Sequence, residues 1–470
     1  MTNNWVFRMN YLASVKNEVS KCIKCGICMA GCPTYGVTKD ETMVARGRLS
    51  LIGANIAGRL ETSATLDDTI TSCIGCLTCE VNCPSGVKVG EIIFAAKAQM
   101  AENRGLGLIG RFMSRTVVGQ RWPLSIVIRL SSIPVKIYGA LPDRWPFAPL
   151  LPFVRKNKKR KLPDTGNRPF TSSYPEYVKT MCKQVKGVVA FFPGCVINFS
   201  TQDIGRASVS VLNKLGYDVI IPEGQYCCGI PLLSLGDMET AKKVAKKNVE
   251  LFSRYDVEAI IISCATCGHT LKKEYPVLLS HLMNGSSDKV KNFSDKVTDI
   301  HEFVYCKNTP SLNPLPQGEG KLRGSAVFSP PLTGGGEGEG EQEYSSETID
   351  VNKVASGHKI RVTYHDPCHL KKGLGIYQSP REILRSISDV EFVEMDEADA
   401  CCGFGGIFSI NHYGLSADIG AKKAGSIERS NAQVVATGCP GCKLHIEDSL
   451  NRAGAPVRVV HTVELLDKIL

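Results

Sequence analysis

The sequence reads Cys22-x2-Cys25-x2-Cys28-x3-Cys32-Pro33 and, after a spacer, Cys73-x2-Cys76-x2-Cys79-x3-Cys83-Pro84. Each run places three cysteines on one tight turn, where their thiolates can bind three irons of a [4Fe–4S] cube. The fourth cysteine points away from that turn, immediately before a proline, and is placed to bind the other cube. Residues 22–84 therefore predict two [4Fe–4S] clusters that exchange their fourth ligands.

This exchange assigns the eight cysteines to two sets of four. The first cluster takes Cys22, Cys25, Cys28 and Cys83, and the second takes Cys73, Cys76, Cys79 and Cys32. The alternative is a set of structural or zinc-binding cysteines. Zinc usually takes four ligands from two separated pairs, so two four-cysteine runs with trailing prolines fit zinc poorly.

Helices, and no hairpin, are predicted between the two runs. Apolar residues recur at three- and four-residue steps over 40–60, and further helices are predicted over 65–70 and 89–101. Residues 1–104 therefore resemble an α-helical ferredoxin, like the one in succinate dehydrogenase iron–sulfur subunits.

From residue 187 the pattern changes to alternating strands and helices, and it occurs twice. Strands are predicted at 188–192, 219–221 and 259–262, and again at 359–364, 390–393 and 432–436. Cysteines follow at matched positions, as C-x31-CC-x35-C-x2-C and C-x32-CC-x36-C-x2-C. The matched spacing indicates two copies of one domain, over 187–306 and 358–470, with sites at the carboxyl ends of parallel strands.

The remaining segments have no such pattern. Residues 105–186 form a linker or a docking arm, and the Gly/Pro/Glu-rich segment 307–357 is predicted to be a disordered insertion. Gly105-x-Gly107-x2-Gly110 matches a dinucleotide fingerprint, but it follows a predicted helix and lacks a βαβ context, so we reject it. The basic run 155–161 lies in the linker and is interpreted as solvated charge, with contact to anionic lipid as the alternative.

Composition limits the classes of function. The chain has 470 residues, 20 cysteines and a formal charge of +10. We expect no signal peptide at its start and no transmembrane helix, so the thiols are predicted to be metal ligands in the cytoplasm. Basic residues do not alternate with aromatic ones in a stripe, and we predict no nucleic acid partner.

Each repeat carries five motif cysteines, more than one tetrahedral metal ion needs. The motif residues resemble the cysteine-rich CCG-domain family joined to an N-terminal ferredoxin. They include Phe192-Pro-Gly-Cys195, His365-Asp-Pro-Cys368-His369 and Gly438-Cys-Pro-Gly-Cys442. The metal-ligating candidates, at lower weight than the eight above, are Cys195, Cys227, Cys228, Cys264, Cys267, Cys368, Cys401, Cys402, Cys439 and Cys442.

The layout is similar to iron–sulfur subunits of the glycolate oxidase type, with relatives in anaerobic glycerol-3-phosphate and D-lactate oxidation and in heterodisulfide reductase. The resemblance implies an α+β multidomain protein that passes electrons from an FAD-containing flavoprotein dehydrogenase partner toward quinone or a membrane acceptor. It also implies one or two non-cubane [4Fe–4S] clusters at the CCG motifs. It implies a cytoplasmic location, either free or peripheral on the inner face of the cytoplasmic membrane.

Two alternative functions stay open. The main alternative is a thiol–disulfide reductase with catalytic CCG clusters, because both CCG motifs are complete. The second alternative, a redox sensor, has less support. No catalytic residue is assigned. His365 and His369 are interpreted as hydrogen-bonding supports of the Cys368 loop, with a ligand or proton-donor role as the alternative. Cys182 and Cys306 fall outside every motif and are predicted to be free thiols.

Overall fold

A computed structural model describes residues 10–106, Ser114, 168–280, 287–308 and 359–470. The rejected fingerprint beyond residue 106, the basic run 155–161 and the predicted insertion 307–357 from residue 309 onward lie outside the described residues. None of the described helices is both long enough and apolar enough to span a membrane.

The N-terminal part of the chain is helical. Its core is formed by the long helices α4 and α7 around Ile52, Ile70 and Ile92, all at most 1% exposed. Its helices are α1 Tyr11–Ser14, α2 Lys16–Ser20, α3 Pro33–Thr38, α4 Ala45–Ile56, α5 Ala64–Thr71, α6 Thr78–Val81 and α7 Val89–Arg104.

The helix predicted over 40–60 is shorter than expected, which corrects the sequence analysis. Residues Glu41–Met43 form a 3-10 turn that is capped by Asp40, whose side chain accepts a hydrogen bond from the Thr42 N–H. Val44 is extended, and α4 begins only at Ala45. Gly47 explains the close packing of turn and helix, since a Cβ there would lie 1.9 Å from the Glu41 carbonyl oxygen.

Each repeat folds around a sheet whose central strands are parallel. In the first repeat the strand order is β1-β3-β2-β4-β5, and only β1 is antiparallel among the described pairings. The strands are β1 Tyr177–Val178, β2 Gly187–Phe192, β3 Tyr217–Ile220, β4 Ile260–Ile262 and β5 Val297–Asp299. The helices around them are α8 Gly194–Phe199, α9 Gln202–Lys214, α10 Ile230–Leu235, α11 Met238–Phe252, α12 Ala265–His269, α13 Tyr275–Leu279, α14 Ser287–Lys296 and α15 Ile300–Asn308, with a π-helix at Thr270–Glu274.

The second repeat has the same order without the antiparallel edge strand, β7-β6-β8-β9, and its described pairs are parallel. The strands are β6 Ile360–His365, β7 Val390–Phe392, β8 Val434–Thr437 and β9 Arg458–His461. The helices are α16 Gln378–Arg385, α17 Phe408–Asn411, α18 Tyr413–Arg429, α19 Pro440–Ala453 and α20 Thr462–Leu466, with a π-helix at His369–Gly373. The predicted α+β multidomain fold class is confirmed, whereas β1, β5 and β9 were not predicted.

The two repeats share one apolar core. A single cluster of buried residues includes Phe192, Ile262 and Tyr275 of the first repeat together with Val435 and Ile446 of the second. The repeats therefore pack face to face, and the loops that follow their strands meet between them.

Candidate metal centres

The four cysteines predicted to bind the first cluster surround one cavity. This cavity is lined by Cys22, Cys25, Cys28 and Cys83, and also by Cys79. Cys25 is exposed, and the neighbouring Ile23 and Ile27 are 68% and 48% exposed. This group therefore reaches the surface of the helical domain through an apolar rim.

The second group lies deeper. Burial, followed by the charges of Cys76, Cys73 and Cys32, raises the pKa of Cys79, so these four thiols are near neighbours. Burial and, next, the charge of Cys401 raise the pKa of Cys76 to about 12. The structure thus brings the second group together and sets it beside the second repeat.

Arg48 ties the two cysteine runs to each other. It is 2% exposed, and its Nη2 donates to Ser72 Oγ at 2.9 Å while its Nε donates to the Thr69 carbonyl at 2.9 Å. Ser72 directly precedes Cys73, and the Arg48 Nη2 also reaches Thr34 Oγ1, two residues after Cys32, at 3.5 Å. One buried guanidinium therefore fixes two parts of the second cysteine group.

The five motif cysteines of the first repeat converge between its sheet and the second repeat. Cys195 and Cys227 Sγ atoms lie 3.8 Å apart. Cys228 and Cys267 also interact through a side-chain hydrogen bond. Cys228-Gly229 turns through a left-handed conformation, with φ +95° at Gly229, which only glycine adopts without strain.

The second repeat reproduces this arrangement. Cys402 and Cys442 Sγ atoms lie 3.4 Å apart, as the counterparts of Cys228 and Cys267. Cys368 interacts with Cys401 through a side-chain hydrogen bond, as the counterpart of Cys195 with Cys227. Gly403 has φ +96° and turns the chain after the adjacent cysteines as Gly229 does.

The remaining cysteine of each repeat bridges the two. Cys264 and Cys439, the first cysteines of the two C-x2-C motifs, bring their thiols next to each other. Both follow the end of a central strand, and both are at most 6% exposed. All ten motif cysteines thus belong to one continuous group across the domain boundary.

Buried lysines place positive charge beside these thiols. Lys97 Nζ donates to the Cys73 carbonyl at 3.0 Å. Lys423 is 2% exposed and donates to the Glu397 carbonyl at 2.6 Å. Burial lowers the pKa of Lys423 to about 8, while the charges of Cys402 and Cys401 oppose that shift. Sequence reasoning missed these lysines, because nothing in their spacing distinguishes them from surface lysines.

A third lysine joins the helical domain to the second repeat. Lys372 Nζ donates to Thr78 Oγ1 at 2.8 Å and to the Asp399 carbonyl at 3.0 Å. Thr78 Oγ1 in turn lies 3.4 Å from the Cys76 Sγ. The second cysteine group and the CCG cysteines therefore meet at Lys372.

The two histidines beside Cys368 differ. His369 Nδ1 lies 3.2 Å from Thr266 Oγ1 of the first repeat, and its ring stacks on His269 at 5.1 Å, so it has the predicted supporting contact. For His365 the supporting role stays a prediction. Its ring is buried, and neither nitrogen makes a hydrogen bond of good geometry to any residue that the structure describes.

Asp366, next to His365, fixes the loop that carries Cys368. Its carboxylate accepts two hydrogen bonds from Arg381, at 2.8 and 2.9 Å, and Arg381 also binds Glu394 at 2.7 and 2.8 Å. A two-pronged pair of this kind is stronger and more directional than a single ion pair. The loop that carries Cys368 is thus held by Arg381, leaving the His365 ring free for another role.

The donor set suits iron–sulfur clusters. Thiolates are the usual ligands of [4Fe–4S] clusters, and the eight N-terminal cysteines form two adjoining groups of four. Burial and mutual repulsion raise the pKa of Cys76 and Cys79, so these thiols are protonated when no metal is bound. Metal binding must therefore release their protons.

Cys182 and Cys306, which lie outside the motifs, are exposed, and each is far in sequence from any such set of cysteines.

Comparison with known proteins agrees with this organisation. The family described as 4Fe-4S dicluster domain matches residues 18–87, and the family described as Cysteine-rich domain, CCG, matches residues 189–272 and 362–447.

Several named proteins are similar over long stretches. The probable glycolate oxidase iron-sulfur subunit of Bacillus subtilis is 28% identical, over 96% of this chain and 94% of that protein. One subunit of the CoM/CoB fumarate reductase of Methanothermobacter marburgensis is 32% identical over 67% of this chain, which spans about half (53%) of that protein. One subunit of the dihydromethanophenazine:CoB–CoM heterodisulfide reductase of Methanosarcina barkeri is 23% identical over 96% of this chain and 94% of its own length.

Proposed function

The chain belongs to the iron–sulfur proteins that join a 4Fe-4S dicluster domain to two cysteine-rich CCG domains, and we propose that it is the electron-transfer subunit of a flavin-linked 2-hydroxy-acid dehydrogenase of the glycolate oxidase type. In this role two [4Fe–4S] clusters, and one or two non-cubane [4Fe–4S] clusters at the CCG motifs, supply one-electron redox chemistry. The FAD that oxidises the substrate resides on a partner subunit.

The contact between Cys76 and the second repeat supports this role most strongly. Cys76 is close enough to Cys401 for their charges to interact, and Lys372 spans the same junction. The cysteine groups consequently form a row that runs from Cys25, through the second group, to the CCG cysteines of both repeats. A continuous row of redox sites suits a protein that conducts electrons.

The exposed end of the row suits contact with the flavoprotein. Cys25 lies at the surface between Ile23 and Ile27, whose apolar side chains are exposed. A partner that covers this rim would bring its flavin to the first cysteine group and exclude water there. The far end, at the CCG cysteines, would then deliver electrons toward quinone, at the inner face of the cytoplasmic membrane.

Substrate-dependent bleaching of the native complex tests the proposal. The complex is purified anaerobically from its own host, and the cluster absorbance is followed while glycolate, D-lactate, glycerol-3-phosphate and a dithiol are added in turn. We expect a hydroxy acid to bleach the absorbance, with flavin co-purifying. Bleaching by the dithiol alone, in a preparation without flavin, would overturn the assignment.

A thiol–disulfide reductase is the second candidate. It is favoured by the contact of Cys264 with Cys439, which places two complete CCG motifs against each other, and by the similarity to a heterodisulfide reductase subunit. This candidate predicts turnover of a low-molecular-weight disulfide by the chain without any flavoprotein. Absence of such turnover, with intact clusters and a supplied reductant, removes it.

A further inference from the structure

His365 occupies a position at which the two CCG sites differ in chemistry. It is the last residue of β6 and pairs with Thr437 of β8, whereas the last residue of β2 is Phe192, which pairs with Ile262 of β4. Each residue lies three positions before the first motif cysteine of its repeat. The first repeat therefore has a phenyl ring where the second has an imidazole.

The imidazole lies among the second repeat's cysteines. A ring nitrogen of His365 and the Sγ atoms of Cys402 and Cys442 all lie within 4.8 Å of one another. Two ligands of one tetrahedral metal ion are separated by roughly 3.5 Å, given metal–ligand distances near 2.0–2.3 Å. Small side-chain adjustments would therefore let all three atoms bind the same metal.

The His365 ring is available for such a bond. It is 1% exposed, and both of its nitrogens lack a well-formed hydrogen bond to any described residue, which is costly for a buried polar group. The Ala398 backbone lies beside the ring. Metal-binding histidines commonly direct their second nitrogen at a backbone carbonyl.

We propose that His365 is a nitrogen ligand of the metal centre held by the second repeat, which makes the two CCG centres chemically unequal. The first repeat has no counterpart, because Phe192 fills the same position with carbon. A neutral imidazole among the ligands makes a cluster easier to reduce than thiolates alone do, as in clusters with histidine ligands. The second centre therefore has the higher reduction potential of the two, and an added electron resides mainly on it.

Nitrogen hyperfine spectroscopy tests this ligand directly. The anaerobic holoprotein is labelled with 15N-histidine, and pulsed electron paramagnetic resonance is recorded in each paramagnetic state of a redox titration. We expect a strongly coupled histidine nitrogen that disappears in His365→Phe, the residue found in the first repeat. The same titration should show one cluster shifted to a lower potential in that variant.

Two further variants keep the test decisive. His365→Cys supplies a thiolate at the same place, so it should keep the iron content of the parent and lose the nitrogen coupling. The matched control His369→Phe removes a neighbouring ring that has another partner, and it should keep the coupling. A coupling that survives in His365→Phe, or that is missing from the iron-loaded parent, overturns the proposal.

The inference rests on metal in the second repeat, which is part of the proposed function, and the two can fail separately. Iron and acid-labile sulfide are counted in the parent and in a Cys402→Ser/Cys442→Ser variant. Equal counts would show that the second repeat binds no cluster, which overturns the His365 ligand and leaves the electron-transfer role to the bleaching test. A lower count in the cysteine variant, with no nitrogen coupling in the parent, overturns the His365 ligand alone.

Discussion

The thiols of Cys264 and Cys439 are neighbours across the boundary between the two repeats. These cysteines hold equivalent positions in the two copies, so each repeat presents the same residue to its twin. Thr266 Oγ1, two residues after Cys264, also approaches Cys439 Sγ, at 3.9 Å. The two CCG sites are therefore coupled parts of one centre, and a change at one site must alter the other.

Cys264→Ser is expected to disturb the metal centres of both repeats. The serine removes a thiolate from the first repeat and the thiol neighbour of Cys439 from the second. We expect loss of the first centre and an altered spectrum of the second, measured by iron content and by electron paramagnetic resonance. The exposed Cys306→Ser serves as the control and should match the parent. A spectrum of the second centre identical to that of the parent would contradict the coupling.

Lys372→Met is expected to lower the reduction potentials of the clusters on both sides of the junction. The ammonium bonds Thr78 and lies near both Cys76 and Cys401, so it stabilises added negative charge. A unit charge about 5 Å away at an effective dielectric constant near 20 interacts by roughly 3 kcal/mol, which is roughly 140 mV for a one-electron couple. A redox titration followed by electron paramagnetic resonance measures the shift.

Lys422→Met is the matched control for that change. Lys422 also joins the second repeat to the helical domain, through the Gly36 carbonyl at 2.7 Å, but its side chain is exposed. Solvent screens its charge, and we expect potentials within error of the parent. Equal shifts in the two variants would show that Lys372 acts through domain contact and not through its charge.

Arg48→Met is expected to destabilise the helical domain by about 2–4 kcal/mol. The methionine fills much of the same volume but removes the buried N–H groups that donate to the Thr69 carbonyl and to the Ser72 hydroxyl. The Thr69 carbonyl keeps the hydrogen bond from Ser72 Oγ at 2.8 Å, whereas the Ser72 hydroxyl loses the donor it accepts from. The free energy of unfolding and the rate of iron release in a chelator measure the effect. The exposed Arg59→Met is the control. Unchanged iron release in the Arg48 variant would contradict its role in holding the second cysteine group.

The general architecture could be predicted because its signals are local. Cysteine spacing and strand–helix alternation predicted the helical N-terminal domain and the two parallel sheets, and β2, β4, β6 and β8 lie within two residues of their predicted ends. The short strands β5 and β9 were missed, since Val297–Asp299 and Arg458–His461 each directly precede a helix and carry little alternation. Their places depend on parallel pairing with β4 and β8, which the local sequence does not encode.

The contacts between domains could not be predicted, because they join residues that are far apart in sequence. Lys372 and Thr78 are separated by 294 positions, and Thr266 and His369 by 103. The interpretation of His365 as a support stays a prediction for a related reason. A histidine beside a cysteine motif is equally compatible with a loop support and a ligand, and only the burial of its unpartnered nitrogens distinguishes the two.

Glu274 gives the structure a pH dependence that lies away from the cysteine motifs. Its side chain is 18% exposed at the end of the π-helix, and burial, followed by the charges of Glu80 and Glu91, raises its pKa from 4.5 to about 7. His269 Nδ1 is 3.7 Å away but does not compensate, because burial lowers the pKa of His269 to about 3 and the ring is neutral.

Glu274→Gln is therefore expected to stabilise the protein above neutral pH and to change little near pH 5. Between about pH 4.5 and 7 the native state binds more protons than the unfolded state, so stability falls as the pH rises through this window. Glutamine cannot ionise, and it removes a loss of up to about 3 kcal/mol. Thermal unfolding midpoints of variant and parent, measured from pH 5 to pH 8, should diverge as the pH rises. The exposed Glu250→Gln should follow the parent throughout, and a Glu274→Gln curve parallel to the parent's would show that this carboxyl is already ionised at pH 5.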